Sequence, residues 1–325
     1  MKQAEEITVI IPTWNRRDLL AHCLRSLRSQ TVPAKVLVVD NGSTDGTLAM
    51  LEDEFPEMTA LPLGRNVGFA GAVNAGLGKV TTSLTALLNN DTEADPAWVE
   101  RGLEAAERCP EFSIFASRMV DFSDRTHLDS AGDCYGKAGL PTKRGLGEPI
   151  DRYPDEEEVF GASAGAAFYR MSMFREIGRF DESYFTYLED VELNLRARLH
   201  GFRCLYLPQA IVYHIEAGSD PGRRSQGTAK RPRSGIYTRD RVYWITRNRW
   251  QLMVTYQLLQ HLPWLTLGWG RSFLFHLLKA GYTADFLRGL AAGVVQTPTA
   301  IGKRRRMRRS RTISIRELWR QLRKF

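Results

Sequence analysis

The chain has 325 residues, 43% hydrophobic and 25% charged. That composition excludes intrinsic disorder and gives room for one large domain with appendages or for two domains. Its four cysteines, Cys23, Cys109, Cys134 and Cys204, form no CxxC pair, which excludes a zinc site or a disulfide frame and reads as reduced thiols of a cytosolic protein. The net charge of +8 is uneven: 34 acidic against 22 basic residues up to Asp220, then 3 against 23 from Pro221 onward. Such asymmetry predicts a catalytic part followed by a part facing a polyanion, either anionic lipid or nucleic acid.

In chain order, Ile7–Pro12 reads as a strand and starts too early for a signal peptide to precede it. A helix is predicted over Arg16–Ser29, where Leu19, Leu20, Cys23, Leu24 and Leu27 share one face. Lys35–Asp40 is a second strand, Thr44–Glu54 a helix, Met58–Leu63 a strand, Phe69–Lys79 a small-residue helix and Leu84–Leu88 a fourth strand. Near-continuous apolar strands alternating with helices predict an α/β fold with a mostly parallel sheet covered on both faces. Phe112 to about Pro154 reads as a loop-rich, irregular insertion bordering a cleft. Val159–Arg170 leads into a helix at Met171–Ile177, and Tyr187–His200 is helical up to Gly201. Phe202–Leu207 and Ala210–His214 read as two short strands, and Gly218–Gly235 as a mobile loop. Arg239–Gln260 and Trp264–Val295 are aromatic and apolar, but Arg249, His261, Pro263, Arg271, His276 and Lys279 break every stretch of about 18 apolar residues, so no spanning helix is expected. Lys303–Arg311 carries seven positive charges in nine residues, which suits an interfacial segment facing anionic lipid.

Ligands of such sheets bind beyond the carboxyl ends of the strands, where three segments fall. Pro12-Thr13-Trp14-Asn15 follows the first strand. Asp40-Asn41-Gly42-Ser43 follows the second, with a carboxylate able to accept from a base or ribose; a capped strand–turn–helix is the plainer alternative. Asn89-Asn90-Asp91 follows the fourth, and a carboxylate there can hold a cation bridging two phosphates or simply cap a helix. Asn66, Gly68 and Asn74 lie where a small-residue helix opens, a place that favours phosphate or merely allows close packing. Glu189-Asp190 opens the later helix, as a general base or as dipole-matched acids. His214 ends a strand and is able to complete a metal site. Without GxGxxG after the first strand, a dinucleotide dehydrogenase loses its main support.

Taken in order, VIIPTWNR, VVDNGSTDGT, GRNVGFAGAVNAG, LLNNDT, GASAGAAFYR and FDESYFTYLEDVELNLRARLHG resemble the family 2 glycosyltransferases of GT-A fold, over roughly Ile7 to His214. The nearest branch is rhamnosyltransferase-like enzymes that build lipid-linked cell-surface polysaccharides. The resemblance implies that Pro12, Thr13, Asn15, Asp40, Asn41, Gly42 and Asn90 hold the nucleotide sugar, with Asn66, Gly68 and Asn74 flanking its diphosphate. It implies Asp91 and His214 as ligands of a divalent cation, Mg²⁺ or Mn²⁺, with Asn89 standing where the family's first acidic residue is expected. Asp190 is the matching catalytic base and Glu189 its neighbour in an inverting transfer. Thr246-Arg247-Asn248-Arg249-Trp250 is similar to the QxxRW motif of processive synthases but lacks the Gln. Single-sugar transfer is therefore expected, with this aromatic-basic stretch packing on a membrane surface.

The expected organisation is a catalytic domain over 1–220 (nucleotide-sugar part to about 95, acceptor part beyond), a loop and amphipathic helices over 221–300 and a polybasic tail over 301–325. The expected partners are a nucleotide-sugar donor of dTDP-rhamnose or UDP-hexose type, a glycan or lipid-linked acceptor and an anionic membrane surface; a homo-oligomer stays open. The aromatic helices beside the basic run favour lipid over nucleic acid, and a cytoplasmic location at the inner face of the membrane follows. The alternative is a non-catalytic glycan- or nucleotide-binding scaffold of the same fold.

Overall fold

The computed structural model describes residues 7–215, 238–278 and 282–322. Its elements begin with a βα alternation: β1 (Ile7–Thr13), α1 (Arg17–Arg28), β2 (Lys35–Asp40), α2 (Thr47–Glu54), β3 (Thr59–Pro62), α3 (Gly68–Leu77) and β4 (Leu84–Leu88). Strands β3, β2, β1 and β4 lie side by side, all parallel. β1, β2 and β4 read as apolar runs because both faces are covered, whereas β3 at the edge is largely exposed. Val9 and Ile11 enter one core with Leu20, Leu24 and Val38, while Ile10 enters the other with Val39, Val73 and Leu87, as the two-residue repeat of a strand requires.

The chain continues with β5 (Thr92–Ala94), α4 (Trp98–Arg108), β6 (Ile114–Asp121), β7 (Leu128–Ser130), β8 (Asp133–Tyr135), β9 (Pro141–Lys143) and β10 (Glu157–Val159). Then come β11 (Ala166–Arg170), α5 (Met171–Ile177), α6 (Glu189–Leu199) and β12 (Cys204–His214). Strand β11 runs antiparallel between β4 and β6, and β12 pairs parallel to β6. The fold is thus mixed α/β of GT-A type, with its large sheet flanked by helices.

Two expectations need correction. The stretch from Phe112 to Pro154 is not an irregular insertion: it contributes the eight-residue β6 to the interior of the sheet. The polar residues that disguise β6 are satisfied at long range. Ser117 accepts from Trp98 Nε1 at 2.9 Å, and Arg118 donates to Tyr206 Oη at 3.0 Å and to the Tyr153 carbonyl at 2.7 Å. The two strands expected over Phe202–Leu207 and Ala210–His214 are one, β12, whose register against β6 shifts between Leu207 and Ile211. The loop expected over Gly218–Gly235 lies outside the described residues.

Contacts divide the chain into two units, one of residues 1–134 and 143–215, the other of residues 135–142 and 216–325. The second unit contains α7 (Arg239–Tyr256), α8 (Leu262–Leu278), α9 (Thr283–Val295), α10 (Thr297–Ser310) and α11 (Ile315–Gln321). Among the described residues no helix is long and apolar enough to cross a membrane. The Thr246–Trp250 motif does not lie on a surface, a further correction. Thr246, Arg247, Asn248 and Arg249 are buried in α7. Arg249 donates to the Gly139 carbonyl at 3.1 Å, the Ala138 carbonyl at 3.0 Å and Ser272 Oγ at 2.7 Å. Apolar side chains face outward instead on α8, where Leu262, Trp264, Leu267, Leu274 and Leu277 are all more than half exposed.

Candidate active site

The ends of β1 and β2 are laced together. The Asn41 amide donates to the Thr13 carbonyl at 2.8 Å, the Asn15 amide to Ser43 Oγ at 2.9 Å and the Thr44 amide to Asn15 Oδ1 at 2.7 Å. Asn15 takes a left-handed backbone, φ 51°, to make this turn. Gly42 (φ 81°) lies so close to Arg65 that a Cβ would stand 2.7 Å from its backbone. Asp40 is buried and accepts from the Ser43 amide. Asn90 Nδ2 donates to Thr13 Oγ1 at 2.8 Å. Pro12, Thr13, Asn15, Asp40, Asn41, Gly42 and Asn90 therefore gather at the carboxyl edge of the parallel strands, the ligand-binding edge of such sheets.

The opening of α3 is differently employed. Asn41 Oδ1 accepts from the Val67 amide at 2.8 Å, Asn66 Oδ1 from the Gly68 amide at 2.9 Å and the Phe185 carbonyl from the Ala70 amide at 3.2 Å. These amides are already engaged inside the protein, so the terminus is not the open row of donors that a phosphate uses. Asn74 is likewise committed, to Phe180 and Glu182.

Glu189 and Asp190 are the first two residues of α6. Asp190 is partly exposed. It accepts from the Val191 amide at 2.8 Å and the Ala164 amide at 3.3 Å. Glu189 is buried, and its Oε2 has no hydrogen-bond partner. Burial pushes both carboxyls up, and for Glu189 the charge of Asp190 adds to it. Asp133, buried at the start of β8, is pushed up by the same two causes in the same order. All three carboxyls thus bind a proton more readily than an exposed carboxylate does.

A second chain of charges leads to Asp91. His214 Nε2 stands 3.4 Å from Asp91 Oδ1, His214 Nδ1 2.9 Å from Asp129 Oδ2, and Lys143 Nζ 2.7 Å from Asp129. Burial disfavours the charged imidazole, but Asp91 and Asp129 outweigh it and push His214 up to about 10. Burial likewise works against the Asp129 carboxylate, yet Lys143 and His214 hold it well below the ordinary range. Among the described residues no group of three or more His, Cys, Asp or Glu side chains is arranged around one metal position. His214 Nε2 faces Asp91 while its Nδ1 is anchored on the buried Asp129 carboxylate, a contact that fixes the orientation of the imidazole.

The two halves meet at one short segment. The Asn89 amide donates to the Gly165 carbonyl at 2.9 Å, and Ala164, one residue earlier, donates to Asp190. The loop of Asp91 and the start of α6 therefore share Ser163–Gly165 as a common wall. Asp129, Asp133 and Lys143, which join both halves, were invisible to sequence reasoning. They sit in the stretch taken as loop, and the signal left unused was a pair of aspartates four apart among apolar neighbours.

Residues 8–178 match the family described as Glycosyl transferase family 2. The chain belongs to that family. This glycosyltransferase is 30% identical over 285 residues, 79% of its own length and 92% of the relative's, to an N-acetylglucosaminyl-diphospho-decaprenol L-rhamnosyltransferase of Mycobacterium tuberculosis. It is thus a rhamnosyltransferase-like member, of the kind found in cell-wall and polysaccharide biosynthesis. In fold the transferase is similar to a mannosyltransferase of Pyrobaculum calidifontis solved with GDP-Man and Mn²⁺ (TM-score 0.54, 14% identity, 91% of this chain and 88% of that one). It is also similar to GalNAc-T7 solved with UDP, GalNAc and Mn²⁺ (TM-score 0.60, 14% identity, 79% of this chain) and spans 49% of that longer chain.

Proposed function

We propose that the transferase moves one sugar, with inversion, from a nucleotide donor of dTDP-rhamnose or UDP-hexose type to a hydroxyl of a lipid-linked or cell-surface glycan. The observation that carries this reading is the shared wall Ser163–Gly165, which supports Asp91 and Asp190 on one site. Asp190 takes the proton of the acceptor hydroxyl. The freed oxygen forms a bond to the anomeric carbon as the bond to the nucleoside diphosphate breaks, and no sugar–enzyme bond intervenes. Its raised proton affinity suits that task, because a base works best when its pKa lies near the working pH. Glu189 is the buried neighbour of Asp190 at the start of α6. Pro12, Thr13, Asn15, Asp40, Asn41, Gly42 and Asn90 hold the nucleotide part, and Asn66 borders it.

Asp91 and His214 would hold a divalent cation, Mg²⁺ or Mn²⁺, through a carboxylate oxygen and an imidazole nitrogen. When bound, the ion neutralises charge on the departing diphosphate. The acceptor's lipid places the enzyme at the cytoplasmic face of a membrane. The outward apolar side of α8 supports lipid as the occupant, together with Arg305, Arg306, Arg308 and Arg309 of α10, all exposed.

The decisive experiment is nucleoside diphosphate release from a panel of nucleotide sugars with Mn²⁺, for the wild type and Asp190→Asn. Loss of turnover by about a hundred- to ten-thousand-fold is expected, the usual weight of a general base. Undiminished turnover in the variant removes the base assignment. Absence of turnover with every donor, alongside intact nucleotide binding, favours the non-catalytic scaffold.

A further inference from the structure

We propose that Asn74 and Gly68 are positioning residues for the catalytic helix: α3 fastens the backbone strap that delivers Asp190, in place of cradling the donor's diphosphate. The inference rests on the reading of Asp190 as the base.

The strap runs from Gly178 to Leu188, between α5 and α6, and three anchors hold it. At its root, Arg196 of α6 donates to the carbonyls of Ile177 at 2.5 Å, Gly178 at 3.1 Å and Arg179 at 2.8 Å. Midway, Asn74 accepts from the Phe180 amide at 3.0 Å and donates to the Phe180 carbonyl and to Glu182 Oε1, each at 2.9 Å. Both amide hydrogens of Asn74 are thereby spent, which leaves it no donor for a phosphate oxygen. Near the far end, the Ala70 amide holds the Phe185 carbonyl at 3.2 Å. That approach requires glycine at 68, since a Cβ there would stand 2.5 Å from the Phe185 oxygen and 2.6 Å from its ring.

What the anchors hold is strained backbone. Phe185 has φ 63° and ψ −65°, and the Thr186 amide bonds the Tyr184 carbonyl at 2.7 Å, which is the rarer, strained γ-turn. Tyr187 (φ 66°) and Leu188 (φ 68°) follow in the left-handed region. Bulky residues adopt such conformations only where their surroundings force them. Glu189 and Asp190 come next in sequence, so any relaxation of the strap moves the base directly.

The test uses the full chain with Mn²⁺. It compares kcat for sugar transfer with the Kd of UDP and of dTDP by calorimetry, and checks thermal unfolding. Asn74→Ala is expected to lower kcat at least tenfold while Kd stays within twofold. Should Asn74→Ala fail to fold, Gly68→Ala drives a methyl against Phe185 and is expected to give the same split. A specific rescue comes from Asn74→Asp, which alone should be impaired, and from adding Glu182→Gln, which restores the link to residue 182 with its donor reversed, though not the bond to the Phe180 carbonyl, and should recover part of the lost kcat. A Kd that weakens in step with kcat, an unchanged kcat, or no recovery in the double variant overturns the proposal. Asp190→Asn in parallel separates the two readings: if it stays active the base assignment fails, whereas an inactive Asp190→Asn beside a fully active Asn74→Ala condemns only the positioning role.

Discussion

At the scale of single residues the site is dominated by protons held against their ordinary preferences. His214, pushed up to about 10 from a usual 6.5, stabilises the fold fully below pH 6.5 and loses that contribution as pH rises toward 10. Asp133, Glu189 and Asp190, all pushed upward, keep protons that the unfolded chain releases above the normal carboxyl range, so their contribution also falls as pH rises. Both effects share a sign. The metal-free protein should therefore unfold at a clearly lower temperature at pH 9 than at pH 6 in a thermal melt, and Glu189→Gln should flatten that slope. A cation on Asp91 and His214 must displace the imidazole proton. The apparent affinity for Mn²⁺ should accordingly rise by up to about tenfold per pH unit below pH 10, and calorimetry should detect the released proton. The residues named from sequence at the strand ends do lie at the carboxyl edge of the sheet, because Asn, Asp and Gly are the turn formers that follow a strand. Asp129, Asp133 and Lys143 were not legible, because their value comes from partners far along the chain: His214 for Asp129, Asp190 for Asp133.

Among the elements, the parallel strands β1 to β4 were legible almost to the residue. Two buried faces demand continuous apolar sequence, and Lys35–Asp40 and Leu84–Leu88 have the same bounds in the structure. Strand β6 was hidden by Ser117 and Arg118, whose hydrogen bonds to Trp98, Tyr206 and Tyr153 no local pattern announces. Strand β12 was split in two by Pro208 and Gln209, which fall at its irregularity. Helix α4 shows how tightly these layers meet. A Cβ on Gly102 would stand 2.3 Å from the Phe168 ring, itself fully buried in β11. Gly102→Ala should cost about 1–3 kcal/mol, the usual penalty of overpacking. Denaturant unfolding checks this, and activity per folded molecule should be unaltered because α4 carries no site residue.

Taken whole, the chain divides into an acidic unit that holds the candidate site and a basic helical one, and the boundary is not linear. Arg305, Arg306, Arg308 and Arg309 at roughly 1 kcal/mol each near an anionic surface correspond to about a thousandfold preference for anionic over neutral vesicles. Flotation with phosphatidylglycerol-containing and pure phosphatidylcholine vesicles measures it. Leu267→Glu with Leu274→Glu on the outward side of α8 should release the protein from both without altering its melting temperature. If these substitutions instead break a dimer and leave vesicle binding untouched, a second copy covers that side. The hairpin of β8 and β9 bears on how such an enzyme can be re-engineered. Asp133 and Lys143 lie at its base, while Ala138 and Gly139 at its tip accept from Arg249 of α7. Cutting the gene after Ile215 would thus strip residues 135–142, which group with the helical unit, of those hydrogen-bond donors. A chimera that borrows the helical module of another transferase has to import the matching eight-residue tip as well, or graft a module onto a loop made for a different guest.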